Sequence, residues 1–150
     1  MMMLAIGSDH GGFALKQKIS EHLQQCGVEF YDFGVHSSES ADYPDVAFAV
    51  AEAVARGEYE RGLLFCGTGV GVAIAANKVA GIRAANCHDV FSAQMSREHN
   101  DANILTLGER VVGPGLAAMI VDVWLAGEFS AGRHERRVGK INAYAREGKV

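Results

Sequence analysis

The chain has 150 residues and a mass of 16.0 kDa, which suits a single compact domain built around one core. Apolar residues make up 49 % and charged residues 21 %, as in ordinary globular proteins, so neither a disordered nor a fibrous chain is expected. A formal net charge of −4 opposes general attraction to nucleic acid or to an anionic membrane. An anionic ligand would therefore have to be captured by a local site.

The first residues and the cysteines bear on the cellular compartment. Residues 1–12 have no basic region and polar residues interrupt their apolar stretch, so no signal peptide is expected. No apolar run approaches membrane-spanning length. The chain has three cysteines without CxxC spacing: Cys26, Cys66 and Cys87. This odd number predicts reduced thiols in a cytoplasmic protein rather than a disulfide framework or a zinc site.

Short apolar runs alternate with stretches of helical period along the chain. The runs cover residues 4–7, 28–33, 62–66, 82–85 and 104–107. The helical faces are marked by Leu15, Ile19 and Leu23, by Val46, Val50 and Val54, and by Leu116, Ile120 and Trp124. The alternation predicts an α/β fold, a mostly parallel five-stranded sheet with helices on both faces.

Proline and glycine mark the predicted helix ends. Pro44 and Pro114 suit first turns, whereas Gly27, Gly57 and Gly127 fall where helices should stop. Beyond Gly132 the chain is charged, and we predict a C-terminal helical tail over about residues 133–148 of a single domain 1–150. Apolar positions along that tail are Val138, Ile141 and Ala145, and Cys26 and Cys87 are interpreted as small buried hydrophobes.

The first strand is followed by Gly7, Ser8, Asp9, His10, Gly11 and Gly12. In parallel sheets, ligands bind outside the carboxyl ends of the strands, so this loop is a candidate sugar or phosphate site. The alternative is a glycine turn with Asp9 as a helix cap.

The third strand ends at Cys66, and a glycine-rich loop follows: Gly67, Thr68, Gly69, Val70 and Gly71. Alternating glycines allow several N–H groups to converge on an anion, and the positive end of the next helix would favour the thiolate of Cys66. The loop lacks the Lys-Ser/Thr ending of a P-loop and misses the dinucleotide spacing, which disfavours a nucleotide. Cys66 could instead be a small buried hydrophobe.

Two later groups of polar residues are further candidates. His99 and Asn100 precede the fifth strand, where His99 is either a proton carrier or part of a helix end. Arg110 follows that strand, and a basic cluster contains Arg133, His134, Arg136 and Arg137. Arg133 and Arg137 are four residues apart and would share one face of a helix, suited to gripping a phosphate, although solvated surface charge is the alternative.

Four blocks of sequence resemble the type B ribose-5-phosphate isomerases. They are GSDHGGFALK at 7–16, DYPDVA at 42–47, CGTGVGVAIAANKVAGIRAA at 66–85 and REHNDANILTLGERVVG at 97–113. The resemblance implies a Rossmann-like three-layer α/β/α sandwich that works as a homodimer with active sites at the subunit interface, and pairing of dimers into a tetramer stays open. It also implies that the protein needs no cofactor. The residues themselves leave metal binding by Asp9, His10 and His99 as a disfavoured alternative, because no paired His spacing such as HxxxH and no carboxylate cluster supports it.

The resemblance further implies roles for individual residues. Cys66 would abstract the substrate proton to form an enediol, and His99 would open the furanose ring. Asp9, Thr68 and the loop amides would hold the sugar and the developing oxyanion. Substrate would be bound by His10, Tyr43, Gly67, Gly69, Val70, Gly71, Asn100, Arg110, Arg133 and Arg137, the arginines chiefly through phosphate.

Other functions stay open from the sequence. A six-carbon sugar phosphate such as allose 6-phosphate or galactose 6-phosphate is an alternative substrate. A non-catalytic sugar-phosphate sensor would need neither Cys66 nor His99, so their presence argues against it. Binding of nucleic acid rests only on the basic tail and is disfavoured by the acidic total.

Overall fold

The structure is a computed structural model and describes residues 2–148. The strands are β1 (Met3–Ser8), β2 (Glu29–Asp32), β3 (Arg61–Cys66), β4 (Ala84–Asn86) and β5 (Ile104–Gly108). The helices are α1 (Phe13–Gln25), α2 (Tyr43–Ala55), α3 (Val70–Ala76), α4 (Val90–Glu98), α5 (Pro114–Ala126) and α6 (Arg133–Arg146). A short 3₁₀ turn at His10–Gly12 precedes α1.

The five strands form one sheet in the order β2-β1-β3-β5-β4. Every strand pair within residues 2–148 is parallel, so the prediction of a mostly parallel sheet becomes an all-parallel one. Because each connection between parallel strands must cross over the sheet, helices cover both faces and produce the predicted three-layer α/β/α sandwich. The five predicted strand positions are confirmed, with small shifts at their ends.

Alternate side chains along the strands point into two separate cores. On one face, Leu63 and Phe65 of β3 pack with the buried sides of α1 and α5. On the other face, Leu64 and Cys66 pack with α2 and α3. The side chain of Cys66 therefore belongs to the α2/α3 layer at the carboxyl end of its strand.

The predicted helical faces of α1 and α2 are buried, but one of the three residues predicted for the buried face of α5 is exposed. Leu116 is 42 % exposed, whereas Ala117, Ile120 and Trp124 are fully buried. Pro114 occupies the first turn of α5, as Pro44 does in α2. Periodicity gave the correct turn spacing here, and the small Ala117 was missed because it carries a weak hydrophobic signal.

The last helix lies outside the two cores. Val138 is the one buried residue of α6, and Ile141 is 51 % exposed although it was predicted to share the apolar face. Arg83 connects the helix to the sheet by donating from Nη1 to Asn142 Oδ1 at 2.9 Å. No helix within residues 2–148 combines the length and apolarity needed to cross a bilayer.

Candidate active site

Three strand ends bring the first set of predicted site residues together. Ser8 pairs with Phe65, and Cys66 pairs with Gly108, so the segments after β1, β3 and β5 meet at the carboxyl edge of the sheet. The backbone N–H of Asp9 donates to the carbonyl of Phe65 at 3.3 Å. We call Asp9, Cys66, Thr68 and Arg110 the carboxyl-edge cluster.

The glycine-rich loop folds back over the sulfur of Cys66. Gly69 has φ 78°, a left-handed conformation that lets the chain turn, and its N–H points at Cys66 Sγ at 3.1 Å. Cys66 is 5 % exposed, so this N–H is a close polar partner in a largely dry surrounding. A donor in this position matches the hydrogen bond that a thiolate accepts.

The loop is also packed tightly against its neighbours. A Cβ on Gly108 would lie 2.5 Å from the carbonyl carbon of Thr68, and one on Gly71 would lie 2.6 Å from the ring of Tyr43. The backbone N–H of Arg110 donates to the carbonyl of Gly67 at 3.0 Å. These contacts place Tyr43 and Arg110 beside the loop, as the sequence prediction requires.

The loop after β1 forms the glycine turn that was one of the two interpretations of the sequence, and its role in sugar or phosphate binding stays a prediction. Asp9 Oδ1 accepts from the N–H of Gly12 at 3.1 Å, so Asp9 does cap the short turn. It also lies beside Cys66 through the pairing with Phe65. Exposed His10 accepts the N–H of Ala41 at Nδ1, at 3.1 Å, which leaves Nε2 as the donor of the neutral ring.

A buried polar network beneath the loop was missed by the sequence analysis. Thr106 Oγ1 donates to the carbonyl of Gly69 at 2.7 Å, and His88 Nε2 accepts the N–H of Gly108 at 3.0 Å. Burial lowers the pKa of His88, which favours the neutral ring that this bond requires. A threonine inside the apolar strand β5 was the available signal for this network.

A second cluster forms around the end of α4 and the start of α6. The rings of His99 and His134 are stacked, with centroids 4.2 Å apart and planes 13° from parallel. Arg133 and Arg137 flank them and are exposed, as is Asn100. Desolvation, His99 and the two guanidinium groups all lower the pKa of His134. We call His99, Arg133, His134 and Arg137 the amino-edge cluster.

The two clusters lie at opposite edges of the sheet. Helix α4 starts after the carboxyl end of β4 and returns to the amino end of β5, where Ile104 pairs with Gly62. Four residues along β5 separate this edge from Gly108, a span of about 13 Å. His99 therefore does not reach Cys66 within one chain.

The other two cysteines differ in burial. Cys87 is buried, and burial raises the pKa of its thiol, whereas Cys26 is exposed and was wrongly interpreted as a core residue. Within residues 2–148, side chains of metal-ligand type gather around His22 and Asp122, far from Asp9 and the glycine-rich loop.

Comparisons with known proteins agree with this fold. The profile of a family described as Ribose/Galactose Isomerase matches residues 4–141. The chain is 56 % identical to ribose-5-phosphate isomerase B of Escherichia coli, over 95 % of this chain and 96 % of the relative. It is 45 % identical to D-erythrulose-4-phosphate isomerase of Pectobacterium atrosepticum, over 99 % of both chains.

A solved structure gives the same result in three dimensions. Ribose-5-phosphate isomerase B of Clostridium thermocellum superposes with a TM-score of 0.96 at 58 % identity, covering 98 % of this chain and 99 % of that one. The fold and these relatives define an enzyme of the sugar-phosphate isomerase class. Within that class, the chain belongs to the type B ribose-5-phosphate isomerase family.

Proposed function

We propose that the protein interconverts ribose 5-phosphate and ribulose 5-phosphate through an enediolate, with Cys66 as the base. The observation that carries this proposal is the position of the Cys66 sulfur at the carboxyl edge, beneath the N–H of Gly69 at 3.1 Å. A thiolate there takes the proton from C2 of the open-chain aldose. The same proton is then delivered to C1, and the proton lost by the C2 hydroxyl is returned to O1, so that C2 becomes the carbonyl carbon and C1 carries the hydroxyl of the ketose.

The developing charge on O1 requires donors that are already in place. The N–H of Gly69 points at Cys66 and that of Val70 at Thr68, and the remaining backbone N–H groups of the loop from Gly67 to Gly71 are held without reorganisation, because Thr106 and the contacts around Gly108 fix the shape of the loop. Thr68 Oγ1 accepts the N–H of Val70 at 3.2 Å, which leaves the hydroxyl proton free to point at substrate. Buried Asp9 would hold the sugar hydroxyls.

The ring-opening group must come from elsewhere, because His99 lies at the other edge. We propose a homodimer in which His99, Asn100, Arg133 and Arg137 of one subunit complete the carboxyl-edge cluster of its partner. Val70 and Ile74 of α3 are exposed apolar residues on one face beside the loop, and Phe48 of adjacent α2 is also exposed. A second copy covering this face would bury them and bring its own residues to Cys66.

Phosphate binding is assigned to the arginines and His10. Arg133 and Arg137 lie four residues apart on α6, so that two guanidinium groups can grip one phosphate from the same side. Arg110 lies over Gly67, and Nε2 of His10 is an available donor. Binding energy from the phosphate would orient the distant reacting carbons.

The substrate length is the open part of the proposal. The Pectobacterium relative is named for a four-carbon sugar phosphate, and six-carbon sugar phosphates are further candidates. A direct ultraviolet assay with EDTA should compare ribose 5-phosphate, erythrulose 4-phosphate, allose 6-phosphate and galactose 6-phosphate. The highest kcat/KM on ribose 5-phosphate supports the proposal. Binding without turnover on all four would indicate a sensor instead.

The shared site is tested by mixing two inactive variants. Cys66→Ala and His99→Asn chains, refolded together, should regain roughly a quarter of the wild-type activity, because half the dimers are mixed and each has one intact site. The Cys66→Ala chain mixed with itself is the control. An inactive mixture that contains mixed dimers would contradict the composite site without affecting the role of Cys66.

A further inference from the structure

A group of potential metal ligands joins α1 to α5 on the side of the molecule away from the glycine-rich loop. His22 Nε2 and Asp122 Oδ1 are 2.7 Å apart, and Cys26 Sγ is 3.8 Å from the same nitrogen. One ligand atom from each residue lies within 4.8 Å of the others. His22 and Cys26 are four residues apart and share one face of the α1 end, while Asp122 approaches from α5.

This geometry is close to that of a three-ligand metal site. Zinc binds sulfur at about 2.3 Å and nitrogen or oxygen at about 2.0–2.2 Å, so ligand atoms around a tetrahedral ion are roughly 3.3–3.7 Å apart. The sulfur and nitrogen already have nearly this separation. The carboxylate of Asp122 must retreat from the His22 nitrogen by less than about 1 Å and approach the Cys26 sulfur, which lies within 4.8 Å of it. The Asp122 side chain is 53 % exposed and able to move.

The surroundings leave room for a fourth ligand. A depression of about 360 Å³ borders Asp122 and is lined by Met2, Gly27 and Val28 on one side and by the end of α5 on the other. Cys26 is also exposed, so water can approach the group. The hydrogen bond between His22 and Asp122 is by itself enough to connect α1 with α5. It does not explain why the thiol of Cys26 lies next to it.

We propose that His22, Cys26 and Asp122 bind one borderline-soft divalent cation, best matched by Zn²⁺, with water as the fourth ligand. Imidazole, thiolate and carboxylate together form a ligand set of the kind that zinc prefers over Ca²⁺ or Mg²⁺. Binding displaces the Cys26 proton to solvent and leaves the imidazole neutral. The site lies just before β2, at the amino edge and on the α1/α5 layer, so it is separate from Cys66.

The role of this site is structural. The ion would replace one hydrogen bond between α1 and α5 with three bonds to a common centre, and α1 carries the loop of Asp9 and His10 at its other end. Because the folded chain alone holds the three ligands together, metal binding stabilises the fold. At about 100 times Kd, the expected rise in Tm is roughly 5–10 °C.

Cobalt spectroscopy distinguishes this site from the catalytic thiol. Co²⁺ titrated into metal-free protein should give a thiolate charge-transfer band in the near ultraviolet that saturates at one ion per chain. Cys26→Ser and His22→Gln should abolish the band and the rise in Tm with Zn²⁺. Cys87→Ser and Cys66→Ser should both retain the band, because neither thiol is a ligand.

Three results would overturn the proposal: no band with wild-type protein, an unchanged band in Cys26→Ser, or a band lost only in Cys66→Ser. Circular dichroism of each variant without metal checks that it is folded. Asp122→Asn adds a graded test, since the amide keeps a hydrogen bond to His22 but binds the metal ion more weakly than the carboxylate does. An affinity equal to that of the wild type in Asp122→Asn would remove the carboxylate from the site.

Discussion

The carboxyl-edge cluster and the amino-edge cluster are built on different principles. The residues of the first cluster follow buried strands. Their loop is held by backbone hydrogen bonds and by close packing around glycines, where an added Cβ would overlap neighbouring atoms. The second contains three residues of α6, an exposed helix with one buried residue, and the ring of His134 in that helix stacks on the ring of His99 at the end of α4. Rigid placement suits the proposed role of Cys66 as a base that must meet one carbon atom, whereas an exposed cationic helix suits the proposed capture of phosphate.

The strongest test of the different roles proposed for the two clusters is to remove the proposed base, Cys66. Cys66→Ala should lower kcat on ribose 5-phosphate by about 10³-fold or more, because the proposed mechanism assigns the C2 proton to no other group. Binding of a phosphate-bearing inhibitor should change little, since the proposed phosphate contacts are made by the arginines and His10 and not by Cys66. Cys87→Ala, at the other buried thiol, is the matched control. Substantial turnover by Cys66→Ala would remove Cys66 from the reaction.

The amino-edge cluster is tested by truncating one arginine. Arg137→Ala should raise KM by about 10- to 100-fold, the loss expected for charge-assisted hydrogen bonds to phosphate. The matched control is Arg136→Ala, one residue away on a different face of α6. Steady-state kinetics on ribose 5-phosphate give both values. Equal effects from the two variants would contradict a specific role of Arg137 in phosphate binding and would indicate ordinary surface charge.

Packing around the two clusters should respond oppositely to an added methyl group. Gly108→Ala would press on the backbone of Thr68 and should lower the free energy of unfolding by about 1–3 kcal/mol. Gly139→Ala in α6 meets nothing within 4 Å and should raise it by about 0.5–1 kcal/mol through helix propensity. Urea unfolding measures both. Equal responses would show that the glycine-rich loop has slack.

The smallest effect concerns His88 beneath the loop. Its pKa is lowered in the folded chain, so the unfolded chain binds the proton first as pH falls. Stability should therefore fall from about pH 7 downward, until the folded pKa is also passed. His88→Gln can still accept from Gly108 and should lose less stability on acidification. An identical pH dependence, with exposed His36→Gln as the control, would contradict this linkage.

Much of the first cluster could be predicted because strand ends obey a simple rule. The apolar run before Cys66 fixed β3, and parallel strands place their carboxyl ends together, so Asp9 and the glycine-rich loop had to meet. The sequence also predicted the stop signals at Gly27 and Gly57, which adopt positive φ. Local pattern was sufficient wherever one element determined the position.

Features that depend on contacts between several helices or strands could not be predicted from the sequence pattern. Cys26 looked like a small core residue, and only the placement of α1 exposes it beside His22. The His88 and Thr106 network needs the contact of β4 with β5, which no spacing records. Likewise, the sequence analysis named His99 and Cys66 for one reaction without giving their separation, and the path of α4 in the structure puts them at opposite edges of the sheet.

Opposite edges also have a consequence for evolution after gene duplication. In the proposed dimer, each active site takes its base from one chain and its ring-opening histidine from the other. Two duplicated copies could then diverge, one losing the thiol and the other losing the imidazole, while their mixed pair kept a working site. Neither copy would be dispensable afterwards, so the position of α4 would turn a self-sufficient enzyme into an obligate two-gene enzyme.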